Sequence, residues 1–196
     1  MVTNGYPPGT PMVSMRFTAR QIAAGFFLQP VTLHSWHSDR FGLERDPEAR
    51  ASRRYSFADA VVIGLVAALA DDLNGLGIPV RHAITLCNQL RPFIEDQITR
   101  HPAELYVSLD KVLPVAVAHR GGGKPGGWDV VTFNSIAEYN AWSAAQDPGA
   151  ELPPGQRFWR SGHELLIDVS LAFKRAGASL SRHDVWAHPN EQGADD

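Results

Sequence analysis

Two histidines three residues apart, His34 and His37 in QPVTLHSWH, are the first residues of this chain whose type and spacing could do chemistry. On a helix that spacing puts both imidazoles on one face, where they could share a metal ion or meet the edges of bases. A metal needs a third ligand, and none stands nearby. The sole cysteine, Cys87, lies in an apolar helical pattern and reads as a buried thiol. Two solvent-exposed histidines without a role are the third reading. The run GGGKPGG at 121–127 suggests phosphate binding, but a Walker loop has Ser or Thr after its lysine and opens a helix. Here Pro125 and the strand-like WDVVTF follow, so a glycine-rich hairpin is expected. Asp110, Asp129, His163 and Asp168 are scattered, without paired acids or a Ser/His/Asp arrangement. No enzymatic activity, cofactor or metal is therefore expected.

A second group of chemically able residues is cationic. Between Arg16 and Tyr55 there are seven arginines (Arg16, Arg20, Arg40, Arg45, Arg50, Arg53, Arg54) against four acids, whereas from residue 101 onward eight Lys and Arg face twelve acids. A net charge of −3 argues against non-specific coating of nucleic acid; the uneven distribution suits one surface that meets phosphate. Every basic side chain before Lys111 is arginine, the type suited to bidentate phosphate and guanine contacts. A solvated arginine-rich loop is the plain alternative.

The elements that must position these groups are helices first and strands later. Thr18-Ala19-Arg20-Gln21 is a capping-box pattern, opening a helix over about 18–26. Gln29-Pro30 starts a second over about 30–40, with Val31, Leu33 and Trp36 inward, so the two are joined by a turn of two or three residues. Residues 42–55 suit a two-stranded flap or a loop. Ser56-Phe57-Ala58-Asp59 repeats the capping logic and opens an apolar helix to about Asn74, closed by Leu76-Gly77. Pro79 restarts helix, and Pro92 is expected to kink or end it. Strands are then expected at Leu105–Leu109, Leu113–His119, Trp128–Phe133 and His163–Val169, with helices over Ser135–Ala145 and Leu171–Leu180. The apolar run Val61–Ala70 falls well short of the roughly 20 residues that span a bilayer. The N-terminus carries prolines and glycines in place of a secretory signal, so a cytoplasmic protein without membrane contact is expected.

This order of elements resembles the DNA-binding domain of the MerR family of bacterial transcription regulators over residues about 16–85. The residues carrying the resemblance are Phe17-Thr18, Ile22-Ala23, Gln29-Pro30-Val31-Thr32-Leu33-His34-Ser35-Trp36, Gly42-Leu43, Arg54-Tyr55-Ser56 with Asp59, and Leu76-Gly77. The nine-residue interval from Ala23 to Thr32 equals the family's own. The chain departs from the pattern at Phe27, where the family has a turn glycine, at His34, where it has arginine, and at His37, where it has glutamate. The stretch before Gly42 is two residues longer.

The resemblance implies an α+β chain: a flexible tail (1–14), a winged helix-turn-helix DNA-binding domain with its following helices (15–100), a small α+β domain for oligomerisation, partner contact or ligand sensing (101–186), and a second tail (187–196). It implies a sequence-specific transcriptional regulator, bound to double-stranded DNA in the nucleoid as a homodimer or higher oligomer. The helix over 30–40 would enter the major groove and present Thr32, His34, Ser35, His37 and Ser38 to bases. Arg20, Arg40, Arg45, Arg50, Arg53 and Arg54 would hold phosphates, with Thr18 or Tyr55 adding a hydroxyl. The family's long dimerisation helix is not expected here, because Pro92 and His101-Pro102 interrupt it. Two other readings stay open. One is an architectural or excisionase-like DNA-bending protein of phage type. The other is a protein that acts through its C-terminal domain, whose sign would be a ligand-sized pocket lined by Trp128, Phe133, Trp142 and Phe158.

Overall fold

Both capping boxes form as their sequences predict. The Thr18 hydroxyl accepts from Gln21 N while the Gln21 side chain accepts from Thr18 N, and Ser56 and Asp59 make the same exchange. Each satisfies two backbone N–H groups that a helix start otherwise leaves unpaired. The computed structural model describes residues 11–48, 54–71, 76–101, 109, 111–120, 128–145 and 164–182.

After a single 3-10 turn at Met12–Ser14 come α1 (Ala19–Gly25), α2 (Pro30–Trp36), α3 (Phe57–Ala70) and α4 (Val80–Arg100). Then follow β1 (Val115–Arg120), β2 (Trp128–Phe133), α5 (Ile136–Ala145), β3 (Glu164–Asp168) and α6 (Val169–Leu180). The three strands form an antiparallel sheet in the order β2-β1-β3, so the chain is mixed α+β. Arg120 pairs with Trp128 across β1 and β2, which suits the expected hairpin; GGGKPGG itself lies outside the described residues.

Three elements differ from expectation. Helix α2 stops at Trp36, with His37 as its C-cap, because the chain folds back through residues 38–42: Gly42 N donates to Ser38 O and Leu43 N to Trp36 O. Gly42 makes the reversal at φ 70°, a conformation glycine adopts without strain. The stretch over 42–55, by contrast, follows the loop reading in its described residues, which form no strand pair with one another, and Pro47 and Glu48 have helical geometry. Leu109, expected at a strand's end, is helical as well; residues 105–108 lie outside the described residues.

The third difference is α4, which does not end at Pro92 but continues through it, for 21 residues in all. A proline inside a helix costs about 3 kcal/mol, because it removes a hydrogen bond and crowds the preceding turn. Pro92 itself is exposed, but its neighbours Leu86, Cys87, Leu90 and Ile94 are all fully buried at helical spacing. Burying side chains of the Leu and Ile type contributes about 1.5–3 kcal/mol each, so packing outweighs the proline.

One apolar cluster crosses the boundary expected near residue 100. Phe17, Ile22, Leu33, Val62, Leu90 and Ile94 share it with Ala116, Ile167, Phe173 and Leu180, and the Phe57 and Phe173 rings lie 5.9 Å apart. Helix α6 closes tightly on α1: a Cβ on Gly25 would stand 3.1 Å from a Leu180 methyl. The other face of the sheet carries a separate small cluster, where Val115, Val117 and Phe133 are covered by Ile136, Tyr139 and Trp142. No described helix is long and apolar enough to cross a membrane.

Candidate nucleic-acid interface

Helices α1 and α2 are joined by residues 26–29, and α2 buries Leu33 and Trp36 on one side. Its other side is open: Val31 and His34 are exposed, and Thr32 and Ser35 are half-buried. The hydroxyls are arranged in series, with Ser35 Oγ donating to Thr32 O at 2.8 Å and Ser38 Oγ to Ser35 O at 2.6 Å. Arg20 on α1 and Arg40 beyond α2 are both exposed, the Arg40 guanidinium lying 5.3 Å from the Phe41 ring centre. No Asp or Glu occurs before Asp39, so the chain through α1 and α2 carries no carboxylate, and the exposed Asp39 stands beside Arg40 just after it.

Several residues expected on this face point elsewhere. His37 turns inward: its Nδ1 lies 2.9 Å from Leu43 O and its ring 5.6 Å from that of Tyr55. A carbonyl can only accept, so Nδ1 carries the proton of the neutral ring, and Nε2 is left as a buried acceptor with no partner among the described residues. Burial is the main cause that holds the His37 pKa below its usual value. His34 faces solvent, so the two histidines do not make the common face that their spacing suggested. No group of three or more His, Cys, Asp or Glu among the described residues could hold a metal ion.

Tyr55 and Arg45 are also structural. Tyr55 is 4% exposed and pairs through its backbone with Phe17, N to O at 2.8 Å in both directions, so its hydroxyl is not offered to a phosphate. Desolvation raises its pKa. The Arg45 guanidinium stacks 4.0 Å from the Tyr55 ring centre and donates to Arg54 O, which ties both ends of the expected flap inward. Arg54 is half-buried. Thr18 uses its hydroxyl in the cap. Arg50 and Arg53 lie outside the described residues.

Beneath this face a buried ion pair fixes the loop after α2. Arg91 Nη1 lies 2.8 Å from Asp59 Oδ1, with side chains 7% and 0% exposed. The same carboxylate accepts from Asp46 N and Ser56 N, while Arg91 Nη2 donates to Glu44 O. Asn88 completes the tie, donating to Gly42 O and accepting from Glu44 N. Helix α4 thereby sets where residues 42–46 run. The shallow polar groove between them, about 410 Å³, is lined by Arg40, Phe41, Glu44, Arg81 and Thr85 among others.

Sequence reasoning missed Arg182. At the end of α6, it donates to Ala24 O at 2.8 Å and stacks 4.1 Å from the Phe27 ring centre, which brings a cation from the far end of the chain to the α1–α2 turn. Nothing in the local sequence signals this. The alternative ligand pocket does not assemble from its described residues. Trp128 and Phe133 are five apart on β2 and so face opposite sides of the sheet; Trp128 joins the main core and donates to His82 O, while Phe133 packs on Trp142. Phe158 lies outside the described residues. No family model matches the chain, and no curated protein sequence is detectably similar to it.

Proposed function

We propose that this protein is a sequence-preferring, double-stranded DNA-binding regulator of MerR-like type, with α2 as its recognition helix. The observation that carries the reading is the open side of α2, where Val31, His34 and Ser38 lie outward, on a stretch of chain that holds Arg20 and no carboxylate before Asp39. In a protein of net charge −3, such local asymmetry suits one surface that meets a polyanion. Arg20, Arg40 and Arg182 are the phosphate candidates, and Thr32, His34, Ser35 and Ser38 the base-edge candidates. His37, Arg45 and Tyr55 support them from within. Dimerisation through α4 in the family's manner has little to build on, because most of its apolar positions are buried, Val80, Phe93 and Ile98 partly so, and its exposed ones, such as Arg81, Thr85, Gln89 and Thr99, are polar.

Selection from a random duplex library, followed by titration across a salt series, tests this. Arg20→Ala and Arg40→Ala are expected to weaken binding to all sequences and to reduce the salt slope by about one unit per lost contact. His34→Ala should cost about 1–3 kcal/mol on the selected site and little on random DNA. Absence of any salt-sensitive, sequence-preferring binding at micromolar protein overturns the proposal.

A further inference from the structure

Phe27 combines two features that a folded chain ordinarily avoids. It has φ 56°, the left-handed region, and its side chain is 84% exposed. For a bulky residue that backbone conformation costs on the order of 1–3 kcal/mol, and an exposed ring recovers nothing by burial. Glycine would close α1 without strain. The conformation is held from both sides of the turn: Leu28 N donates to Ala23 O at 2.8 Å, and Arg182 clamps one face of the ring while bonded to Ala24 O. The other face of the ring stays open.

Four residues on, Val31 is 72% exposed in the first turn of α2. Phe27 and Val31 have the highest exposure among the large apolar side chains described as exposed, and they flank one turn. Together they present far less than the roughly 800 Å² a side that a stable protein interface needs. The Arg182 guanidinium sits on the Phe27 ring, and the chain holds no carboxylate before Asp39. A small apolar patch with a guanidinium packed on it, on a stretch of chain without carboxylates, complements a surface that is anionic overall and carries small apolar projections. In the major groove those projections are the C5-methyl groups of thymine.

We propose that Phe27 and Val31 form an apolar contact face that reads thymine C5-methyl groups in the major groove, with Arg182 fixing the ring for that contact. The inference rests on the DNA-binding reading above and deepens it by naming the base feature recognised. It adds A·T selectivity at the positions next to those read by His34.

The test uses the full chain and a duplex selected from a random library, with each thymine replaced singly by deoxyuridine, which removes only the methyl group. Wild-type protein is expected to lose about fourfold in affinity at each contacted position, the size of one buried methyl. Val31→Ala and Phe27→Gly should each lose the thymine-over-uracil preference at their own position and keep it at the other contacted position. Phe27→Gly suits the backbone, so its unfolding midpoint should not fall, which separates lost contact from lost fold. Equal affinity for thymine and uracil at every position overturns the inference, as does a thymine preference that survives both substitutions. Failure to select any preferred sequence overturns the parent reading, a distinct result.

Discussion

At the scale of single residues, the buried pair Asp59–Arg91 decides more than the exposed arginines do. Its two side chains hold Asp46 N, Ser56 N and Glu44 O as well as each other, so they act as a polar keystone beneath the loop after α2. Arg91→Ala leaves a fully buried carboxylate without its cation, and a loss of about 3–5 kcal/mol is expected in urea unfolding. Replacing both partners with apolar residues of similar size should cost less than either single change, and a double-mutant series would read the difference. His37 has a different signature. Its pKa is depressed in the fold, so in acid the unfolded chain takes up a proton that the folded chain resists. The stability tied to its neutral form is therefore complete above the ordinary histidine value near 6.5 and is lost as pH falls below it. Measured from pH 7 to pH 5, wild-type stability should fall more steeply than that of His37→Gln. An equal slope in that variant would show that other groups govern the acid limb.

Among the elements, the parts legible in the sequence are those whose causes are local. Thr18 with Gln21 and Ser56 with Asp59 lie three residues apart, and Pro30 sits in the first turn of its helix, so a few neighbouring positions suffice to read them. The inward turn of His37, Arg45 and Tyr55 was not legible. It depends on Tyr55 pairing with Phe17 and on Arg91 reaching Glu44 O across the fold, partners that side-chain type alone does not choose. Arg182 is the extreme case, because its partner Ala24 lies 158 residues away. Pro92 is a related case: local chemistry says kink or stop, while the buried stripe on either side of it says continue, and the stripe is the larger quantity. Since Pro92 faces outward and contributes nothing to that stripe, Pro92→Ala should raise stability by about 1–3 kcal/mol by thermal or urea unfolding. An unchanged or lowered midpoint would mean that the ring fits a need of the helix not visible in its packing.

For the molecule as a whole, the shared core changes what the two expected halves can do alone. Phe173, Ala176 and Leu180 of α6 complete the cluster that α1, α3 and α4 begin, and Arg182 reaches the α1–α2 turn from the same helix. A fragment covering residues 11–101 would expose that seam. It is expected to lack a cooperative unfolding transition, and a sharp transition near the full chain's own would restore the picture of independent domains. Any change felt at the sheet, which packs on α6, also has a short mechanical route to the candidate interface.

Cys87 gives the molecule a built-in chemical clock. It is the only cysteine in the chain, it is fully buried in α4, and burial pushes its thiol far above the ordinary value, so almost no reactive thiolate is present while the helices stay packed. The rate at which a thiol reagent labels the native protein therefore counts how often the core opens. A bound duplex that slowed this labelling would reveal, without any mutation, that the surface residues and the interior breathe together.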